Sequence, residues 1–377
     1  MSRNNGETRQ AGREPLRILL LAAADVIHAR RWAEYFRMRG HRLAFATLDP
    51  SGIEGTGEML LGSFTGVDAV RYPAALPSLR RLVKNFQPQV VNAHFVPGYG
   101  FLASLVPSAR PLVVSAWGSD ILLGPGKSFL HRWRARHTLG QAGLVTCDGA
   151  VLAGLIQELG VPDGRILEVP MGIDPALFHP PLPGTENEKR PGEKNLRIIS
   201  SRTLEPLYGV ETLLRSAAIL KEAGWGFECA VLGDGSQRSK LEELSGQLGL
   251  EERVEFLGGL TSGGVAEALR SGDIYVSCSY SDSTSVSLLE ALATGLFPVV
   301  SDIPGNREWI SHGRNGLCFN PGDPGALAEC LIRAMKDSDL RGNARAENLG
   351  TIEKKALWEN NMRLVEDRFY DIAATGR

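Results

Sequence analysis

Asp282, Ser283, Ser285 and Ser287 crowd one short stretch directly after the apolar, β-branched run Ile274–Cys278. That pattern predicts a strand-to-helix turn with Asp282 as N-cap of a helix over 283–294. The open N–H groups of its first turn, Ser283–Ser285, would form an anion site aided by the helix dipole. A diphosphate could be held there without a cation. Glu290 lies eight residues past Asp282, about 12 Å along a helix axis. It stands among Val286, Leu288, Leu289, Ala291 and Leu292, so it is a carboxylate in apolar company. A phosphate at the helix start and a hydroxyl-binding carboxylate further along would suit a nucleotide sugar. Asp282 as a plain helix cap and Glu290 as a salt-bridged surface residue are the structural alternatives.

Other candidates stand where strands end. Arg202 follows the run Leu196–Ser200 and can be read as an anion ligand or a surface charge. Gly233 and Asp234 follow Phe227–Leu232 in VLGDG, a tight Gly turn that is weak evidence alone. Gly258 follows Val254–Leu257. In the first half His94 closes Val90–His94, and Trp117–Asp120 (WGSD) follows Leu112–Ala116. Both would look into a cleft; a core histidine and a turn cap are the alternatives. The loop Ala22–Arg30 carries His28 and Arg30, as acceptor or phosphate contacts or as a solvated helix start. Lys127–His137 (KSFLHRWRARH) interleaves Arg132, Arg134 and Arg136 with Phe129, Leu130 and Trp133. Such a helix can lie on an anionic membrane; its alternative is a solvated face with a buried Trp.

These positions need a scaffold of short buried strands alternating with amphipathic helices, the signature of parallel sheets. The first half adds strands at Arg17–Ala22, Arg42–Leu48, Leu144–Cys147 and Ile166–Val169. Its helices fall at Ala29–Arg39, Ser78–Asn85, Phe129–Leu139 and Ala150–Leu159. The second half adds a strand at Pro298–Ser301. Its helices fall at Val210–Ala223, Ser239–Leu248, Val265–Ser271, Ser283–Thr294 and Ala326–Met335. The expected organisation is a disordered lead 1–14, an α/β domain 15–175, a Pro-rich linker 176–195, a second α/β domain 196–352, and a terminal helix 353–377. That helix could pack back on the first domain. Ligands bind beyond strand ends in such sheets.

The 377 residues, 43% hydrophobic and 22% charged, suit two domains and exclude a mainly disordered chain. Residues 1–175 hold 19 Lys and Arg against 14 Asp and Glu, net +5, and the remainder is net −7. A basic first half fits an anionic partner, while a nucleic-acid protein would be more basic overall. Five cysteines without a C-x-x-C imply neither a zinc site nor a disulfide framework, and point to the cytoplasm. Arg3, Arg9 and Arg13 before Leu16–Ala24 resemble a short signal peptide, but a first β-strand is the preferred reading. No apolar run reaches the length of a transmembrane helix.

The run YSDSTSVSLLEALATGLFPVVSDIPGNREWI resembles the donor-binding signature of the family-4 retaining glycosyltransferases, whose GT-B fold sets two Rossmann-like domains with parallel sheets across a cleft. The resemblance covers nearly the whole chain. It implies that Glu290 binds the nucleotide ribose and that the amides of Ser285 and Val286, with Ser283 and Thr284 beside them, meet the diphosphate. Asp282, where the family has Glu, would face the transferred sugar. SSRTLEPLYG resembles a second phosphate site in which Arg202 fits the family's Arg, but Tyr208 stands where a Lys is expected. Gly233, Asp234 and Gly258 would line the donor. VPMGIDPALF (169–178) resembles the interdomain crossing, and WGSD marks a subgroup. Trp117, His28 and Arg30 would lie by the acceptor, with Asp120 and His94 beside the reaction centre.

The resemblance implies a metal-independent hexosyl transfer from a nucleotide-diphosphate sugar, with retention, onto a glycan or lipid-linked acceptor. No cofactor beyond the co-substrate is expected. The setting would be polysaccharide assembly in the cytoplasm, peripheral to the membrane, with domain closure on donor binding. A dehydrogenase lacks its G-x-G-x-x-G here, a serine hydrolase its G-x-S-x-G, and a kinase its P-loop. A transferase holding a metal on Asp-x-Asp is set aside as well. Tyr208 and Asp282 keep open a non-catalytic sugar-nucleotide-binding scaffold. An epimerase or phosphorylase on the same fold is a third option.

Overall fold

The computed structural model describes residues 13–52, 57–62, 68–124, 126, 128–182 and 195–376. Most of the expected lead, residues 183–194 of the expected linker, and Lys127 lie outside them. The chain divides into two compact units. The first comprises residues 1–147, 152–169 and 362–377; the second comprises 148–151 and 170–361.

Through the first unit the elements run β1 (Arg17–Leu21), α1 (Ile27–Met38), β2 (Arg42–Thr47), β3 (Glu58–Leu60), α2 (Asp68–Ala74), α3 (Leu76–Phe86), β4 (Val90–His94), α4 (Phe101–Ser104), β5 (Leu112–Ser115), α5 (Ser119–Leu122), α6 (Phe129–Gln141), β6 (Leu144–Cys147), α7 (Ala150–Glu158) and β7 (Ile166–Glu168). The second continues with β8 (Leu196–Ser201), α8 (Val210–Glu222), β9 (Phe227–Leu232), α9 (Arg238–Gln247), β10 (Val254–Gly258), α10 (Ser262–Arg270), β11 (Ile274–Ser277), α11 (Val286–Thr294), β12 (Phe297–Ser301), α12 (Pro304–Arg307), β13 (Leu317–Phe319), α13 (Pro324–Lys336), α14 (Ser338–Lys355) and α15 (Trp358–Thr375).

Both sheets are parallel throughout their pairings. Their orders are β3-β2-β1-β4-β5-β6-β7 and β10-β9-β8-β11-β12-β13. Each order reverses once, between β1 and β4 in the first sheet and between β8 and β11 in the second. These are Rossmann-like switch points, where loops after neighbouring strands diverge and leave a crevice. Helices cover both faces, which is why the central strands are apolar at nearly every position: β4 and β12 are buried from end to end.

Besides the short helices α2, α4, α5 and α12, which were not expected, the structure departs from the expected elements as follows. Phe95–Gly100, given no element in the expected scheme, forms a π-helical turn, and Phe95 takes the left-handed conformation at φ 72°. The edge strands β3 and β13 are too short to show a period. The single terminal helix expected from 353 is two helices, α14 and α15, broken at Ala356–Leu357. Backbone pairing causes the break: the Ile173 amide donates to the Ala356 carbonyl at 2.8 Å, and the Trp358 amide donates to the Ile173 carbonyl at 2.9 Å. Gly172, at φ 71°, brings the chain there; a Cβ would collide with the Trp358 backbone.

From Met362 onward α15 belongs to the first unit. Glu366, 3% exposed, accepts from Tyr35 Oη at 2.8 Å and Arg39 Nε at 3.1 Å, and pairs with His41 Nε2 at 3.0 Å. The Leu16 amide donates to His41 Nδ1, which leaves the Nε2 proton for Glu366. Burial pushes the Glu366 carboxyl up, but the His41 and Tyr35 hydrogen bonds and the Arg39 charge hold it below its ordinary value. Phe369 stacks on Phe36 at 5.1 Å.

Candidate functional site

In the second unit, Arg202 follows β8 and residues 278–285 follow β11, the two strands at the switch point. Arg202 Nη2 contacts Asp282 Oδ2 at 2.5 Å. Its Nη1 donates to Ser285 Oγ at 2.6 Å and Ser287 Oγ at 3.1 Å. The Tyr208 ring lies against the guanidinium face, 4.1 Å from the Arg202 carbon to the ring centroid. The Arg202 side chain is 10% exposed, and its buried Nε has no hydrogen-bond partner among the described residues. Tyr275 Oη meets Ser287 Oγ at 2.8 Å. Burial raises the Tyr275 phenol and the Arg202 charge opposes it, while the charges of Asp282 and Glu290 raise it further.

The helix begins later than the pattern predicts. Ser285, not Asp282, is the N-cap of α11, and its Oγ accepts from the Leu288 amide at 3.3 Å. Asp282 is drawn away to Arg202. The amides of Val286 and Ser287, with no carbonyl one turn back, are the open N–H groups of the first turn, one step beyond the expected Ser283–Ser285. Ser283 and Thr284 are buried, and their hydroxyls donate to Asp148. Glu290 is half-buried on the second turn of α11.

Glycines seat the surrounding loops. Gly233, at φ 114°, donates its N–H to the Gly258 carbonyl at 2.8 Å, and a Cβ on it would overlap the Arg202 carbonyl. Asp234 is exposed and accepts from the Gly235 amide. Gly258 lies under the Arg238 guanidinium. Two contributors were not singled out in the sequence. Tyr275 reads as one more buried strand residue. Gly305 carries the backbone that packs on the 282–283 carbonyls, where a Cβ would overlap Ser283; the Pro304-Gly305 pair after β12 is its only sequence signal.

In the first unit, His28 stands in the first turn of α1, His94 is the last residue of β4, and Trp117 follows β5. His94 lies 5.0 Å from Trp117 and 4.9 Å from Trp32 between ring centroids, and His28 lies 5.5 Å from Trp117. A cavity of about 400 Å³ is lined by Val26, Asp49, Tyr72, His94, Phe95, Tyr99 and Trp117 among others. Hydrogen-bonding His94 Nε2 to Asn92 Oδ1 at 2.8 Å leaves Nδ1 as a bare acceptor, buried and without a partner among the described residues. Burial, then the His28 charge, lowers His94 to about 3. Burial, then Arg31, lowers His28 to about 4. Both are neutral near pH 7, so His94 can accept a hydrogen bond but is a poor proton-transfer base.

Asp120 does not face a crevice. It is 2% exposed and accepts from the Val96 amide at 2.9 Å and the Trp117 amide at 3.0 Å. It therefore ties the turn after β4 to the turn after β5. Burial raises its carboxyl against these amides. Arg30 is spent locally, donating to the Ala24 carbonyl at 2.7 Å.

On α6, Arg132 and Arg136 are exposed, but Arg134 turns inward over the Phe101 ring at 4.3 Å. Phe129 is 85%, Leu130 66% and Trp133 48% exposed, so the tryptophan is not a buried anchor. The chain does contain one Asp-x-Asp, Asp337–Asp339. It opens α14, where Asp337 caps the Leu340 amide at 2.9 Å. No helix among the described residues is long and apolar enough to cross a membrane.

Residues 17–149 match the family model "Glycosyl transferase 4-like", and residues 185–349 match "Glycosyl transferases group 1". An uncharacterized glycosyltransferase of Methanocaldococcus jannaschii is 26% identical over 61% of this chain and 60% of its own length. An N-acetyl-alpha-D-glucosaminyl L-malate synthase of Bacillus anthracis is 26% identical over 80% of both chains. The chain thus spans less than two thirds of the first of these relatives. The crystal structure of Anabaena HepE in complex with UDP-glucose superposes with a TM-score of 0.79 over 94% of this chain and all of that one; at 17% identity this likeness concerns the fold. Two parallel Rossmann-like sheets give the chain the fold of the GT-B glycosyltransferases, and each half is similar to a glycosyltransferase family model.

Proposed function

We propose that the chain transfers a hexosyl group from a nucleoside-diphosphate sugar to an acceptor hydroxyl, with retention at the anomeric carbon and without a metal ion. The observation that carries the reading is Arg202 beside the start of α11. A diphosphate leaving group needs its growing charge neutralised. The Arg202 Nε–H and the Val286 and Ser287 amides offer that neutralisation at one place. Glu290 would take the ribose hydroxyls, Asp282 the sugar hydroxyls, and Gly233, Asp234 and Gly258 would border the donor. His94 Nδ1, His28 and Trp117 would receive a sugar hydroxyl or the acceptor in the first unit. In front-face attack the acceptor oxygen would bond the anomeric carbon as the sugar–phosphate bond breaks, and the leaving phosphate oxygen would take the acceptor proton.

Polysaccharide or lipid-linked glycan assembly, by a cytoplasmic protein docking on the anionic inner membrane face through Arg132, Arg136 and the exposed aromatics of α6, completes the reading. WGSD would place the chain in the corresponding subgroup. A non-catalytic sugar-nucleotide-binding homologue is the second reading, favoured by Tyr208 and Asp282. A thermal-shift screen of nucleotide sugars with chelator present tests the first step. One donor far above its dissociation constant should stabilise the protein by a few kcal/mol, about 2.7 at a hundredfold excess. Sugar transfer from that donor then separates the two readings. Strict metal dependence, or no response to any donor, would overturn the first.

A further inference from the structure

Arg202 has five N–H donors in one plane. Nη1 gives to Ser285 and Ser287, and Nη2 gives to Asp282. These contacts locate both Nη atoms, yet the plane can still hinge about the line joining them. A hinge there moves Nε most, and Nε is the atom left with a buried, unpartnered proton. The contact that resists hinging is on the face, where the Tyr208 ring sits 4.1 Å from the guanidinium carbon.

The ring is itself held in place. Tyr208 ends a one-turn 3₁₀ helix, Pro206–Tyr208, whose first position suits proline. Its amide donates to the Glu205 carbonyl at 2.9 Å. The Glu205 carboxylate accepts from the Ser236 amide at 2.8 Å and hydroxyl at 2.5 Å. The Leu207 carbonyl accepts from the Tyr280 amide at 2.9 Å. Gly209 leaves the turn at φ 59°, where a Cβ would crowd the Cys278 carbonyl. The turn is therefore tied to the loop after β9 on one side and to the loop after β11 on the other.

We infer that Tyr208 is a positioning residue for Arg202: its ring face, and not a second cation, sets the tilt at which the guanidinium presents Nε–H to a phosphate. The inference rests on the donor-site reading of Arg202. A tyrosine adds no charge, so the phosphate site would work with one fixed cation and the α11 amides. A lysine at 208 would supply charge but no ring face for the guanidinium to lie on.

The test uses the full chain labelled with ¹⁵N-arginine, in wild type and in Tyr208→Phe, Tyr208→Leu and Tyr208→Lys. The Arg202 Nε–H signal, assigned by its loss in Arg202→Lys, should show an upfield ring-current shift in wild type and Tyr208→Phe. It should lose that shift in Tyr208→Leu. Calorimetric titration with UDP, GDP and ADP follows. The nucleotide that wild type binds should bind Tyr208→Phe within about twofold and Tyr208→Leu and Tyr208→Lys roughly tenfold more weakly, with melting temperatures alike. Rescue by phenylalanine is what a hydroxyl contact or general loosening would not give. Undiminished binding by Tyr208→Leu overturns the inference, as does Tyr208→Phe binding as weakly as Tyr208→Leu. If wild type binds none of the three nucleotides, the donor-site reading falls first and the inference falls with it.

Discussion

Arg202 is the residue on which the second unit's site converges, since two serines, one aspartate and one aromatic ring are arranged around it. Arg202→Ala should lower turnover with the matched donor by about 100-fold, as removal of a charge-stabilising donor does; initial rates at saturating donor measure it, and a loss under threefold would put the diphosphate elsewhere. The sequence marked Arg202 as a strand-end cation but could not show which acid it takes. Asp282, Ser283 and Ser285 all satisfy the local rule for a helix cap. A partner 80 positions away claims Asp282, and Ser285 caps by default. His94 and His28 carry a pH signature. Their folded values, about 3 and about 4, lie below the unfolded value near 6.5. Below pH 6.5 the unfolded chain takes up protons that the folded chain refuses, so stability falls with pH through that window, by at most about 1.4 kcal/mol per pH unit for each histidine. Urea midpoints from pH 7 to 4 should fall less steeply in His94→Asn; parallel curves would remove His94 from the account.

At the scale of elements, the strands were legible because buried parallel strands are continuous apolar runs. The π-helical turn after β4 was not, because FVPGYG carries loop residues and no period. Its hold comes from Asp120, across the gap to β5. Asp120→Ala should leave the Val96 and Trp117 amides buried without an acceptor and cost about 2–6 kcal/mol, at roughly 1–3 for each group. Asp120→Asn, which keeps an acceptor oxygen, should cost less. Chemical denaturation ranks the three proteins, and equal stability would mean that the Phe95 turn holds itself. α14 escaped notice for a different reason. Of its buried positions Ala344, Asn348 and Ile352 one is small and one polar, so no apolar stripe shows. α6 shows a basic run whose members differ: Arg134 packs on Phe101 while Arg132 and Arg136 stay outside. Reversing those two to Glu should weaken sedimentation with anionic vesicles, and Trp133→Ala should weaken it further. Arg134→Ala should act on stability instead. Vesicle binding that ignores Arg132 and Arg136 would return α6 to a solvated face.

For the molecule as a whole, two α/β units could be read from the alternation of strands and helices, with a terminal helix that could pack back on the first, but not the point at which the chain returns. The chain leaves the first unit and returns at Met362, where Glu366 meets His41, Tyr35 and Arg39. Nothing local marks that return, since a glutamate in a polar helix reads as solvated. Glu366→Ala should destabilise the first unit by about 3–5 kcal/mol, because the His41 and Tyr35 donors are left buried without their acceptor. Glu366→Gln, which can still accept, should lose less; differential scanning calorimetry distinguishes them, and an unchanged melting temperature in Glu366→Ala would show that Phe369 on Phe36 suffices. The same contact has a temporal side. His41 and Glu366 are 325 positions apart. At roughly 5–20 residues per second, about 15–65 s of synthesis separates their appearance. Throughout that interval Phe36 and His41 lack their covering helix, so the unit begun first on the ribosome is completed only after the other has been made. Nascent first units therefore depend on whatever shields an unfinished surface during translation, and slow codons late in the message would lengthen their exposure.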